Sequence, residues 1–419
     1  MQFGGIISFI NNSLTQIIGI SINQNDFWQT QYIFASGYLL GKINSTETIF
    51  IQQVCIQYSI NSLNSNFSQF GAIGAVDGTL TICNVNVFYY TLNGIFNEIG
   101  TIGITHSSSN IDISYFIIQW EMNNNYGINV STLVGSQLAF NWVINHICIN
   151  NSNIVGVRTG LISGQASNIG IIQNIIIVQS QTESNGTIYH AFSAAVIGFV
   201  ASQSKIAFKD INIQSSNVSV FSVQLWNSHA GTIIGELQSI SSVTMQNIQL
   251  YNITINTNAN VFVPYSGGFV GKQLVSNNIT IKESSISNSR ISAIQQFNNI
   301  SFSGSYIGQT YAAVYLFNTN SESILILCKA DIQCWAGGIV GQFNGTTLLQ
   351  ANNVTIVNTY ITGHALYIGA KRSTDWQAGH EQICSSGRPG RRQRQKRKRT
   401  YQKILIPTKQ MEQLSRLIK

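Results

Sequence analysis

Counted from a recurrent glycine, the apolar residues of this chain fall at the same four places again and again. After Gly198 come Ile206 and Phe208, the polar pair Lys209-Asp210, then Ile211 and Ile213. After Gly235 the series is Val243 and Met245, Gln246-Asn247, Ile248 and Leu250. After Gly103 it is Ile111 and Ile113, Ser114-Tyr115, Phe116 and Ile118; after Gly341 it is Leu349 and Ala351, Asn352-Asn353, Val354 and Ile356. Apolar side chains two apart describe a strand with one buried face. The two polar residues in the middle break the alternation and restart it on the same face. A chain does this when it turns a corner with its apolar side inward.

The glycine that sets the count closes a short phrase. Gly337-Gly338-Ile339-Val340-Gly341-Gln342 is its clearest copy and Gly267-Gly268-Phe269-Val270-Gly271-Lys272 the nearest to it. Looser copies close at Ser8, Gly41, Gly74, Gly103, Gly135, Gly164, Gly198, Gly235 and Gly308, and successive copies are 29 to 37 residues apart. A degraded further copy stands at Leu366-Tyr367-Ile368-Gly369. Each unit reads as a strand through the phrase, a turn, a second strand, a corner and a third strand, followed by a variable loop. One unit cannot bury its own apolar face, but stacked units can. The expected fold is therefore all-β, a parallel β-helix of about eleven rungs over residues 1–370. At a rise of about 4.8 Å per rung it forms a rod on the order of 50 Å long. The repeat glycines Gly41, Gly74, Gly103, Gly135, Gly164, Gly198, Gly235, Gly271, Gly308 and Gly341 are expected where the backbone turns with positive φ or packs tightly. Between Gly308 and Gly341 the pattern is least regular, and Asn318 to Ser323 reads as a protruding loop between two strands. An irregular β-sandwich with glycine turns is the competing reading. Helical repeats are opposed by the period of two and the β-branched content.

Composition divides the chain in two. Charged residues are 9% of the whole, against roughly 25% in an average soluble domain. Residues 1–370 hold eight Lys/Arg against twelve Asp/Glu, whereas residues 371–419 hold fourteen against three. The net charge of +7 therefore belongs to the end of the chain and says nothing about partners of the repeat array. There the run Arg388, Arg391, Arg392, Arg394, Lys396, Arg397, Lys398 and Arg399 is dense enough to repel itself, so 371–419 is expected to be mostly disordered. A short amphipathic helix is expected over 408–419, with Met411, Leu414 and Ile418 on one side. The run suits nuclear import or phosphate contacts with nucleic acid. It also reads as a terminus foreign to the array.

Signals for chemistry are sparse. The acids of residues 1–370 are scattered singly; Asp210 and Glu283 follow Lys209 and Lys282 at comparable corners and read as solvated pairs. The histidines have no metal-ligand spacing, and Gly271-Lys272 is followed by Gln273 rather than the Ser or Thr of a phosphate-binding loop. No catalytic residue, cofactor or metal is assigned. The six cysteines lack a Cys-x-x-Cys pair and read mainly as small buried residues, with one local disulfide open between Cys328 and Cys334. Corner asparagines such as Asn247 and Asn353 are expected to stack as amide ladders. No apolar stretch reaches the eighteen or so residues of a membrane-spanning helix. The start has neither the basic nor the apolar region of a signal peptide, so the chain reads as a fragment of a longer protein or one exported without a usual leader.

Gly337-Gly338-Ile339-Val340-Gly341, followed by Asn344-Gly345-Thr346, a strand with Asn353 and a closing Thr362-Gly363, resembles the GLUG-type repeat. The resemblance covers nearly all of residues 4–370. It implies a right-handed parallel β-helix in large surface proteins, including repeat proteins similar to those of diplomonad-like protists. On that basis the expected function is a non-enzymatic surface or secreted adhesion or coat module. Its expected partners are glycans or cell-surface proteins, and its location is extracellular. A β-helix glycan-active lyase or hydrolase is the first alternative. The second is a nucleic-acid-associated, nuclear protein acting through the basic run.

Overall fold

The computed structural model describes residues 2–379, apart from 5–6, 12–14, 25–32, 61–65, 93–94, 121–127, 187–189, 223–226, 239–240, 275–276, 297–299, 331–332, 345–347, 365–366 and 369–375. Among these residues all regular structure is strand. The strands pair parallel and in register from one repeat to the next, so the fold is a parallel β-solenoid. Glycines of successive phrases align, as with Gly231 and Gly267, then Gly267 and Gly304, then Gly304 and Gly337. The basic run Arg388–Arg399 and the expected helix over 408–419 lie outside the described residues.

Among the described residues the strands form two sheets, one of thirty-three strands and one of seven. Ile33–Ile60 and Asn66–Leu92 run unbroken through several faces and tie the large sheet together. The seven-stranded sheet starts at Asn153–Gly156 and ends at Tyr360–His364. The array makes about eight turns rather than the eleven rungs expected. The glycine phrases recur throughout, but only from Asn153 onward does each coil add a strand to the seven-stranded sheet. Pairing also runs past the expected boundary at residue 370, because Trp376–Gly379 lies beside Leu349–Asn352. Tyr367 and Ile368 pair with Gln333 and Cys334, so they precede the phrase of the next coil rather than form a copy of it.

The phrase is not one strand. In a typical coil Ser228–Gly231 ends at the first glycine, Thr232 and Ile233 bend, and Ile234–Leu237 departs in a new direction. The bends stack as well: the amide of Thr232 donates to Gly268 O and that of Ile233 to Phe269 O. The repeat glycines are needed for close approach, not for positive φ. Only Gly19 and Gly78 among the described glycines have positive φ. A Cβ on Gly271 would lie 2.5 Å from Gly235 O, one on Gly308 2.5 Å from Gly271 O, and one on Gly341 2.5 Å from Gly308 O. Backbone stands where a side chain would go, coil upon coil.

Positive φ belongs instead to the corners. Tyr115, His146, Asn174, Asp210, Asn247, Glu283, Asn318 and Asn353 have φ between 50° and 57°. A second set, Asn151, Gln179, Ser215, Asn252, Asn288, Ser323 and Asn358, precedes the seven-stranded sheet with φ of 46° to 54°. Asparagine tolerates this left-handed conformation best among non-glycine residues. Its amide then links coils: Asn353 Nδ2 donates to Asn318 Oδ1 at 2.9 Å and Asn247 Nδ2 to Asp210 Oδ1 at 2.6 Å. The residues flanking the corner point inward, and Ile206, Phe208, Ile211 and Ile213 are buried with their counterparts in neighbouring coils. Each such side chain contributes roughly 1.5–3 kcal/mol by leaving water.

Of the expected loop over Asn318–Ser323, all but Ser323 instead belong to the strand Ala313–Glu322. Thr319 and Ser321 align with Val354 and Ile356 and are buried. Small hydroxyl residues occupy core positions there, which made the stretch read as polar. Thr319 faces the hydroxyl of the buried Tyr306, whose pKa burial raises. Cys328 and Cys334 form a disulfide with Cα atoms 5.7 Å apart, and both residues are buried.

Candidate functional site

The strands on either side of the phrase bend each send one side chain out of the core, six residues before the repeat glycine and one after it. Side chains seven apart therefore meet in the angle of the bend. Asn129 Nδ2 donates to Ser136 Oγ at 2.9 Å, and Arg158 Nη1 to Gln165 Oε1 at 2.6 Å. The rings of Phe192 and Phe199 stack at 5.2 Å between centroids. His229 Nδ1 lies 2.5 Å from Glu236 Oε2, and Lys272 Nζ lies 4.5 Å from the centroid of the Tyr265 ring. Register carries the two rows on to Phe302 with Gln309, and to Trp335 with Gln342. The result is a strip of paired side chains running along the coils.

The first row also runs back to Glu98, which aligns with Asn129. Glu98 accepts from Asn129 Nδ2 at 3.1 and 3.0 Å and from Ser136 Oγ. Burial pushes its pKa up to about 7, against the opposing pull of those hydrogen bonds and of Arg158. In the middle of the strip a cavity of about 290 Å³ is lined by Arg158, His190, Asn227, His229, Glu236 and Lys272, among others. His229 and Glu236 are only 1% and 5% exposed. Burial lowers the His229 pKa to about 4, so its imidazole is neutral at pH 7. Burial also acts to raise Glu236, but His229 and Lys272 outweigh it and hold the carboxyl below its usual value. Nδ1 faces the carboxylate at 2.5 Å, although outside good hydrogen-bond geometry, and a neutral imidazole set this way carries its proton on Nδ1. Nε2 is then an acceptor, and it has no hydrogen-bond partner among the described residues. Burial lowers Arg158 and Lys272 as well.

A carboxylate that orients an imidazole is an arrangement able to accept a proton. A pair of carboxylates is a different matter. Glu98 and Glu236 lie four coils apart by register, or roughly 19 Å at about 4.8 Å per coil. Glycosidases of the two-carboxylate kind work at about 5–9.5 Å.

No site was assigned to these residues by sequence: His190 and His229 have no metal-ligand spacing, and Lys272 follows a glycine phrase that lacks the Ser or Thr of a phosphate loop. The signal was there once the chain is aligned on its repeat glycine. Glu236 and Lys272 then occupy the same place in successive coils, as do His229 and Tyr265. The acids considered for catalysis lie elsewhere. Asp210 and Glu283 are corner residues, Asp210 accepting from Asn247 and sitting 3.8 Å from the exposed Lys209, and Glu283 accepting from Gln246 Nε2 at 3.0 Å. The repeat glycines form the floor of the bend beneath the strip and offer no side chain of their own. Among the described residues no helix is long and apolar enough to cross a membrane. No protein-family model matches this chain, and no match to it was found among curated proteins or solved structures.

Proposed function

We propose that this solenoid is a non-enzymatic binding scaffold that takes an extended partner along the strip, as a surface or secreted adhesion or coat module does. One observation carries the reading: paired side chains repeat in the angle of the bend from Asn129 and Ser136 to Trp335 and Gln342. Aromatic rings, amides and charges alternate along that line, which suits a chain-like ligand contacted at regular intervals. The GLUG-type resemblance supports the same reading and suggests glycans or cell-surface proteins as partners. A disulfide between Cys328 and Cys334 suits an oxidising compartment.

A glycan-active enzyme is the second reading, favoured by the His229–Glu236 pair and by Glu98, whose pKa near neutrality suits a general acid. The distance between the two carboxylates weighs against a hydrolase of the usual two-carboxylate kind. The discriminating experiment presents the full chain to a glycan array and to intact cells, then recovers the bound glycan and measures its length. Retention of an intact ligand, reduced by Trp335→Ala with Gln342→Ala, is the expected result. A shortened ligand, or binding indifferent to those substitutions, rejects the scaffold reading.

A further inference from the structure

We infer that Arg158 and Lys272 are the two anion-holding ends of the central cavity, and that the ligand is a carboxylate-bearing oligosaccharide. The inference rests on the strip being a binding surface and names the class of ligand it takes. Among the described residues the ion pairs are Lys209 with Asp210 and His229 with Glu236. Arg158 and Lys272 thus have no carboxylate within 4 Å, although both are partly buried. Each lies on aromatic rings instead. The guanidinium carbon of Arg158 is 4.5 Å from the centroid of Phe199 and 5.9 Å from that of Phe192. The ammonium of Lys272 is 4.5 Å from the centroid of Tyr265. Stacking fixes the direction of a cation and leaves its N–H donors free. Arg158 has five N–H donors, and one of them is directed to Gln165.

Glu98 and Glu236 act on Arg158, and Glu236 on Lys272, only from beyond ion-pair distance, and burial still outweighs them, so partly buried cations without a contacting carboxylate raise the energy of the empty site. An anion entering the cavity relieves that cost, which is the physical case for an acidic ligand. The spacing selects among acidic ligands. Arg158 and Tyr265 are three coils apart in register, and Lys272 stands over Tyr265. The two cations are therefore rooted roughly 14 Å apart along the strip at about 4.8 Å per coil. Between them stand Glu236, the unpartnered Nε2 of the buried His229, and Asn227. A dense polyanion such as nucleic acid carries a charge every few ångströms, and Glu236 would repel it. A sugar chain with well-spaced carboxylates avoids that repulsion. Its hydroxyls match the amide of Asn227 and the Nε2 acceptor, which asks for a donor.

The test titrates the full chain with tetragalacturonate by calorimetry, beside its methyl ester, a sulfated oligosaccharide and tetraglutamate. Binding of tetragalacturonate is expected, weakened by about tenfold in Arg158→Gln and again in Lys272→Gln, the loss of one charge-assisted contact in each case. The methyl ester should bind no better than the double variant binds the acid. Arg158→Lys, which keeps the charge, should retain part of the affinity and guards against a misfolded variant. The inference is overturned if the chain does not bind tetragalacturonate, if the ester binds equally, or if the sulfated sugar or tetraglutamate binds more tightly. If a neutral glycan binds in a Trp335-dependent way while both cation variants bind it normally, the strip remains a binding surface and the acidic ligand is rejected.

Discussion

The glycines of the repeat phrase act through the side chain they lack. A methyl on Gly271 would sit 2.5 Å from Gly235 O and 2.7 Å from Ala230 O, both backbone atoms held by the neighbouring coil. Gly271→Ala should therefore destabilise by about 1–3 kcal/mol or more, as other overpacked sites do. Gly338→Ala is the control, because its methyl would meet only the Ile356 side chain, Cδ1 at 3.4 Å and Cγ2 at 3.8 Å; a change within about 0.5 kcal/mol is expected. Urea midpoints of the two variants check this, and equal midpoints would refute the close-approach account. Glu98 makes a second prediction. Its pKa, raised from 4.5 to about 7, means that the folded state binds its proton more tightly than the unfolded state. The resulting stability is complete below pH 4.5 and is lost as pH rises through about 7. Glu98→Gln removes that window. Wild type should lose on the order of 1–3 kcal/mol relative to the variant between pH 4.5 and 8. Taking the difference cancels His229, which acts in the opposite sense as pH falls from 6.5 toward 4.

At the scale of the coil, the corner is the element most fully readable in the sequence. The interruption at Gln246-Asn247 announced it, and Asn247 at φ 53° with its bond to Asp210 accounts for it. Asn247→Ala should cost about 1 kcal/mol from left-handed strain alone, and Asn247→Gly should recover most of that, measured as thermal midpoints. Other parts were misread for definite reasons. Thr319 and Ser321 occupy core positions with hydroxyl side chains, so a hydropathy pattern marks them as surface. Thr232 and Ile233 bend the phrase without a turn-forming residue, because stacking of each bend on the next holds the direction. The strip of paired side chains was hidden for a related reason. His229 and Glu236 are seven apart, which in a chain of strands puts them on separate strands, and they meet only because the phrase bends between them.

At the scale of the whole molecule, the fold class was readable because every coil repeats the same instruction, and repetition makes weak signals add. The number of turns was less readable, since a glycine phrase marks a bend and does not require that a third side be built. The candidate site depends on residues from Arg158 to Lys272, distant in sequence and brought together only by register. Register has a mechanical consequence too. Coils held to their neighbours by parallel ladders can be peeled from one end singly, like loops from a spool. A pull on the terminal coil releases one repeat of 29 to 37 residues, roughly 100–130 Å of extended chain, and leaves the coil beneath intact. In an optical trap the expected trace is a sawtooth of nearly even steps in place of a single rupture. A protein of this build, tethered between two surfaces, would yield by lengthening many times its folded height before the last coil let go.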